Sequence, residues 1–438
     1  MSLDVNISEP DEFNCLELHS AIEHVAKLID FEEFSYHVDY LHGNGYIANI
    51  FRVILKENGS EKRISVIVKT LINTARKELF SELHNREVNA YIKIIDKFRI
   101  LQNDIEELKR IILPKCIYFN IDKGNELLVF EDLLENGFKV IATDDITFSN
   151  VTEIFAELAK FHGLSYVLER NNSNLCNELA DDFKDLLYQN SFLDKSKLKD
   201  YFSDSFEMSL NVVDDLEVKK KLESIKPKLL TLFQHFVSPK ERNVFCHGDF
   251  WIKNILYKQM VSKCNILHHH NLALCLLDFQ TLRYTNPATD IVYFLYICTD
   301  SQFRSEHIDK LINIYYDSLK EFSYLFNIDV AKIYTKEELK QDIEENKMFG
   351  LLTALVEIRI FGNHSDEINE KSFSEIDFTK PNVDTDNLIK ARINDVISEC
   401  SENGVLDKLF NVALRIMCTN VYVCKFETLT ESVRSNQT

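Results

Sequence analysis

Glycine and proline are scarce in this sequence. The 438 residues include 10 glycines and 6 prolines. Because these two residues most often interrupt helices and strands, their scarcity predicts long elements with few breaks. The chain is also longer than one ordinary core requires, so we expect two lobes or domains.

Long hydrophobic runs are missing as well. The stretch DIVYFLYICT at 290–299 is far shorter than the ~18 apolar residues that a membrane span needs. The N-terminal sequence MSLDVNISEPDEF is acidic and lacks the basic and apolar regions of a secretory signal. We therefore expect neither a membrane partner nor secretion.

Basic residues and paired cysteines are the remaining shortages. The chain has 70 acidic and 50 basic residues, a net charge of −20, which argues against a nucleic-acid or anionic-membrane partner. The 10 cysteines form no C-x-x-C pair, and several, such as Cys275 and Cys298, lie in apolar runs. Reduced core thiols are typical of an intracellular protein, and we expect a cytoplasmic monomer.

The sequence CHGDFWIKNILY at 246–257 carries the clearest chemistry. It places His247, Asp249 and Asn254 in the spacing H-x-D-x-x-x-x-N. In the catalytic loop of kinases the Asp of this pattern accepts the proton of the attacking hydroxyl, and the Asn binds magnesium. A chance H-x-D in a surface loop is the alternative.

A second motif makes that alternative a poor explanation. The apolar run LALCLLDFQ at 272–280 predicts a buried strand that ends in Asp278, where kinases place the magnesium-binding Asp of D-F-G. The third residue here is Gln280, and the sequence contains no A-P-E segment, so we do not expect a protein kinase.

The N-terminal part carries candidate phosphate contacts. Strands are predicted at 46–55 and 64–68, preceded by Gly43 and Gly45, which either form a phosphate-covering loop or a simple turn. Lys69 ends the second strand in VIVK, as the kinase V-A-I-K lysine does, although a lysine there is often only solvated.

A long helix predicted at 76–101 offers two acids for an ion pair with Lys69. These are Glu82 and Glu87, of which we prefer Glu87. The apolar strand predicted at 127–130 is followed by Glu131-Asp132-Leu133, the place for a hinge whose backbone groups would meet adenine. Beyond it the patterns are mostly helical, and one helix, predicted from about residue 147, has Ser149 or Asn150 as its N-cap.

The order of these motifs resembles the ecdysteroid kinase-like family of arthropod small-molecule kinases, also called the CHK kinase-like family. The matching segments lie within residues 43–300 and are GNGYIANIFRV, VIVKT, LLVFEDLLENGFKV, HGDFWIKNILY and LLDFQTLRYTNPATDIVYFL. The family commonly has Asn and Ser where this chain has Gly45 and Ala48, which puts a side-chain contact to phosphate in doubt.

The resemblance implies an α+β, bilobal protein-kinase-like fold of the aminoglycoside phosphotransferase and choline kinase group. A small N-terminal lobe with an antiparallel sheet, 1–131, would bind the nucleotide, and a larger, mostly helical lobe, 132–438, would hold the catalytic residues and the acceptor. The implied cofactors are ATP and Mg²⁺. The implied site consists of catalytic His247 and Asp249, metal ligands Asn254 and Asp278, and nucleotide contacts Gly43, Gly45, Lys69, Glu87, Glu131 and Leu133.

The acceptor implied by the resemblance is a small-molecule hydroxyl. We expect an ecdysteroid or another apolar alcohol, partly because the chain contains 31 phenylalanines and steroid-sized pockets are mostly apolar. A choline, ethanolamine or aminoglycoside kinase is the alternative within enzymes. A catalytically silent nucleotide-binding protein is the alternative outside them, but it predicts loss of Lys69, Asp249, Asn254 or Asp278, and all four are present.

Overall fold

A computed structural model describes residues 15–41, 48–71, 77–142, 146–196, 198–260, 272–362 and 383–416. Gly43 and Gly45, predicted to cover the phosphates, lie outside these described residues.

The N-terminal part is built on one antiparallel sheet. Its strands are β1 Phe34–Tyr40, β2 Ala48–Glu57, β3 Arg63–Leu71, β4 Cys116–Asn120 and β5 Leu127–Glu131, in the spatial order β1-β2-β3-β5-β4. Helices flank it: α1 Cys15–Leu28, α2 Lys77–Ala90, a π-helical turn Tyr91–Ile95, α3 Asp96–Leu101 and a short 3₁₀ helix Glu107–Lys109.

Side-chain alternation along β3 separates a buried core from a candidate functional face. Val66 and Val68 are buried in one cluster with Phe51 and Val53 of β2 and with the apolar residues of α1. Because successive side chains in a strand point to opposite faces, Lys69 points to the other face, where α2 lies.

The C-terminal part is mostly helical. Its helices are α4 Phe148–Asn171, α5 Ser173–Asp182, α6 Asn190–Ser196, α7 Leu198–Leu210, α8 Leu216–Ile225, α9 Leu229–Val237, α10 Ala288–Cys298, α11 Ser301–Tyr324, α12 Lys336–Gly362 and α13 Val383–Glu402, followed by a helix at 405–416. Short 3₁₀ helices are Lys226–Lys228, Ile252–Asn254 and Val330–Lys332. Helix α10 is buried almost throughout, so it forms the centre of this part.

The N-terminus of α4 corrects one sequence-based prediction. Neither Ser149 nor Asn150 is the N-cap; Thr147 is, with extended backbone and a hydroxyl that accepts from the Asn150 N–H at 3.2 Å. A threonine oxygen can also accept from a first-turn N–H, so the cap lies earlier in the chain than predicted.

Two small sheets hold the motif-bearing loops. One pairs β6 Lys139–Val140, β8 Ile255–Gln259 and β9 Leu272–Leu276; the other pairs β7 Val244–Cys246 and β10 Arg283–Thr285. Residues 247–254 connect β7 to β8, and Asp278 follows β9 closely.

The predicted α+β class is confirmed, with the antiparallel sheet in the N-terminal part and helices predominating beyond it. The predicted division of the lobes falls where β5 ends and stays a prediction. Within the described ranges, every helix is too short or too polar to cross a membrane.

Candidate active site

Lys69 joins the N-terminal sheet to the segment after β9. Its ammonium donates to Glu87 Oε2 at 2.7 Å and to Asp278 Oδ1 at 2.9 Å. Glu87 is almost fully buried, whereas Asp278 is partly exposed. Glu82, the other acid considered for this pair, contacts Lys195 instead. The structure therefore brings Lys69, Glu87 and Asp278 into one cluster.

The carboxyl groups of Asp278 and Glu87 keep Lys69 positively charged despite its burial, whereas burial raises the pKa of Glu87 to about 7. Burial alone would lower the pKa of Lys69, but the carboxylates of Asp278 and Glu87 together raise it above its ordinary range. A buried cation with two acidic partners is stabilised by them, and Lys69 therefore remains positive at neutral pH.

Asp278 adopts an uncommon backbone conformation. Its φ is 65°, in the left-handed region that aspartate tolerates better than most residues. This conformation turns the carboxylate toward Lys69 directly after a buried strand. Such strained positions persist only where surrounding contacts hold them.

The loop after β7 is anchored from helix α10. Asp290 accepts hydrogen bonds from the backbone N–H groups of His247, at 2.6 Å, and Gly248, at 3.0 Å. His162 of α4 bonds the same carboxylate at 3.1 Å. Burial would raise the pKa of Asp290, but His162 and the neighbouring charges lower it overall. The loop thus rests on a buried carboxylate.

Gly248 allows the loop to approach the segment after Asp278. Its φ is 87°, and an added Cβ would lie 2.1 Å from the Thr281 carbonyl oxygen. The Thr281 hydroxyl also donates to the His247 carbonyl at 3.3 Å. A larger residue at 248 would separate the two segments.

The imidazole of His247 links the same segments from the side. Its Nε2 donates to the Leu277 carbonyl at 2.7 Å, and its Nδ1 accepts from the Asp249 N–H at 3.3 Å. These partners fix one tautomer. His247 therefore positions the loop, and its catalytic role stays a prediction.

Asp249 and Asn254 are hydrogen-bonded to each other across the loop. The Asn254 amide nitrogen donates to Asp249 Oδ2 and to the Asp249 carbonyl, both at 2.9 Å. Burial raises the pKa of Asp249, and the nearby charge of Asp278 adds to this, while hydrogen bonds from Tyr293 and Asn254 oppose it. Because the amide nitrogen of Asn254 is used within the loop, its amide oxygen is the atom that could bind a metal.

Two further residues near Asp249 were not predicted. The Tyr293 hydroxyl lies 2.7 Å from Asp249 Oδ1 and is also hydrogen-bonded to Glu357 Oε2. Tyr293 belongs to α10 and Glu357 to α12, and both are buried. One feature of the sequence could have drawn attention to this pair, because Glu357 is the single acidic residue within the apolar run 351–360.

The segment after β5, predicted to be a hinge, is tied to the N-terminal sheet. Asp132 Oδ2 accepts from Arg52 Nε and from Ser65 Oγ, both at 2.6 Å, which ties strands β2 and β3 to this segment. The Leu133 carbonyl accepts from the N–H groups of Asn136 and Phe138, so this carbonyl is occupied within the segment. The Glu131 carboxylate accepts from the Lys115 N–H at 2.8 Å.

The donor set fits magnesium with a polyphosphate. Mg²⁺ prefers oxygen ligands and commonly takes one or two from the protein with the rest from phosphate and water. Asp278 and Asn254 supply a carboxylate and an amide oxygen, and Lys69 supplies a fixed positive charge beside Asp278. These residues could hold the ion and the phosphates, with Asp249 placed to accept a proton.

Comparisons with known proteins give a family match and similar solved structures. The sequence profile of the Ecdysteroid kinase-like family matches residues 42–327, and no curated protein sequence matches the chain. A solved choline kinase from Cryptosporidium parvum Iowa II is similar, with a TM-score of 0.48 and 13% identity, covering 90% of this chain and 99% of that one. A microcompartment-associated aminopropanol kinase gives a TM-score of 0.39 and 10% identity, with 90% and 98% covered.

Proposed function

Since the chain belongs to the ecdysteroid kinase-like family, we propose that it is an ATP-dependent kinase of small-molecule alcohols. It would transfer the γ-phosphate of ATP to a hydroxyl group, with an ecdysteroid or a similarly apolar alcohol as the acceptor. The observation that carries the proposal is the double contact of Lys69 with Glu87 and Asp278, beside a loop that presents Asp249.

Each part of the reaction has a residue suited to it. The acceptor oxygen would form a bond to the γ-phosphorus of ATP. The bond between that phosphorus and the bridging oxygen would break, releasing ADP, and Asp249 would take the proton of the acceptor hydroxyl. Lys69, held by Glu87, would contact the phosphates. Magnesium, when bound through Asn254 and Asp278, would neutralise phosphate charge. His247 would keep the loop in place.

The nucleotide would lie between the sheet and the hinge. The N–H of Leu133 and the backbone of Glu131 would contact the adenine edge. Gly43 and Gly45 would cover the phosphates with backbone N–H groups. These assignments follow the family pattern and stay proposals.

A panel of acceptors tests the proposal. We would measure ATP consumption and product mass with ecdysone, other hydroxylated steroids, choline, ethanolamine and an aminoglycoside at matched concentrations. Turnover of a steroid but not of choline is expected. Turnover of choline with none of any steroid would overturn the acceptor class and leave the kinase assignment standing.

A binding assay separates an enzyme from a silent binding protein. Thermal unfolding with ATP, with and without magnesium, would show whether the site binds the nucleotide. Magnesium-dependent stabilisation without phosphorylation of any acceptor in the panel would favour the silent protein.

A further inference from the structure

The hydroxyl of Tyr293 stands between two buried carboxyl groups. It is hydrogen-bonded both to Asp249 Oδ1, at 2.7 Å, and to Glu357 Oε2. A tyrosine hydroxyl has one hydrogen to donate. If both carboxyl groups were ionised, one of these contacts would place two oxygens together without a hydrogen. One carboxyl group must therefore carry a proton and donate it to the tyrosine oxygen.

Their surroundings favour a proton on Glu357. Asp249 has further support as an anion, because the Asn254 amide donates to its other oxygen at 2.9 Å and because Asp249 is more exposed than Glu357. The described contacts of Glu357 give its carboxyl group only Tyr293 as a hydrogen-bond partner. An ion with one neutral partner in the interior is costly compared with the neutral acid.

Charged and titratable groups near Glu357 come from several elements. They are Tyr293 of α10, Asp249 of the loop after β7, Arg283 of β10, and Tyr188 of the segment before α6. Arg283 favours an ionised Glu357, but its guanidinium donates to Asp185 at 3.3 Å. Burial, with Asp249 adding its charge, raises the pKa of Glu357 to about 8, in agreement with the proton count.

We infer that Glu357 is a positioning residue that holds a proton and donates it to the oxygen of Tyr293, so that Tyr293 gives its own hydrogen to Asp249. This inference rests on the proposed function, in which Asp249 is the base. The two hydrogen bonds, from Tyr293 and Asn254, would fix both oxygens of the base. When Glu357 loses its proton, Tyr293 would turn its hydrogen to Glu357, and Asp249 would lose the hydrogen bond from Tyr293.

Infrared spectroscopy tests the proton without requiring activity. We expect wild-type protein at neutral pH to show the carbonyl stretch of a buried carboxylic acid, which Glu357→Gln removes and which disappears in wild type above about pH 8. Absence of this band at neutral pH, or its persistence in Glu357→Gln, would overturn the inference.

The pH dependence of turnover tests the positioning. With ATP and ecdysone, wild-type kcat should fall on the alkaline side as Glu357 ionises. Glu357→Gln, whose amide also donates to Tyr293, should lack that fall, whereas Glu357→Ala should be slower at neutral pH. Tyr293→Phe should lower kcat by roughly tenfold or more, since hydrogen bonds to charged groups are among the stronger ones.

Tyr296→Phe is the matched control for Tyr293→Phe. Tyr296 is buried in the same helix, and its hydroxyl contacts Cys400. Its loss should leave the pH profile unchanged. An identical alkaline fall in wild type and Glu357→Gln would overturn the inference even if the kinase is active. Failure of every acceptor, with the infrared band present, would refute the proposed function and leave the proton on Glu357 established.

Discussion

Replacing Gly248 by alanine tests whether the loop 247–254 depends on its close approach to the segment after Asp278. Two costs arise at this position. A side chain at φ 87° costs about 1–2 kcal/mol. The added Cβ would also lie 2.1 Å from the Thr281 carbonyl oxygen, and relieving such overpacking typically costs about 1–3 kcal/mol more.

Gly59→Ala is a matched control. Gly59 has φ 74° and nothing within 4 Å of an added Cβ, so it would report the backbone cost alone. Urea unfolding should therefore show a loss of about 1–2 kcal/mol for Gly59→Ala and roughly 2–5 kcal/mol for Gly248→Ala.

Activity should separate the two variants further. Gly248→Ala must move the loop or Thr281, so ATP consumption with an accepted alcohol should fall strongly under conditions where the variant remains folded. Gly59→Ala should retain wild-type turnover. Equal stability losses, or wild-type turnover in Gly248→Ala, would refute the reasoning about this contact.

Four further predictions each concern one residue of the site. Asp249→Asn should lower turnover by roughly 10²–10⁴ while calorimetry still shows ATP binding; near-wild-type turnover would exclude Asp249 as the base. Lys69→Met should weaken the binding of ATP and ADP more than the binding of adenosine, and Asp278→Ala should abolish magnesium-dependent nucleotide binding. Equal losses of affinity for ATP, ADP and adenosine would indicate misfolding. The free energy of unfolding of wild type should fall between about pH 5 and 8. In this range folded Glu357, with a pKa raised from 4.5 to about 8, still binds a proton that the unfolded chain has released. Glu357→Gln should reduce the fall in unfolding free energy by up to about 1.4 kcal/mol per pH unit.

Short-range patterns in the sequence were sufficient to predict the segments that carry Lys69 and Asp278. The strand that ends near Lys69 and the strand before Asp278 are both marked by apolar runs, and β-strand alternation decides which side chains leave the core. Glu87 was preferred over Glu82, and the structure pairs Lys69 with Glu87, since Lys69 lies on the face of the sheet that meets α2, the helix of Glu87.

Long-range packing was not predictable in the same way. Tyr293 and Glu357 lie 64 residues apart in the chain and meet because α10 and α12 pack together. Each looked like a residue of an ordinary buried helix. The N-cap of α4 was misplaced because Thr147, Ser149 and Asn150 are all suitable capping residues, and only the backbone shows which one is used.

The account is tested most directly by following the γ-phosphate itself. Wild type and Asp249→Asn would be incubated with magnesium, ATP labelled in its γ-phosphate, and the acceptor panel, and the products would be separated and analysed by mass spectrometry. We predict label on a hydroxyl of an apolar alcohol with wild type and a greatly reduced amount with Asp249→Asn. Binding of ATP by wild type without labelled product from any acceptor would contradict the account.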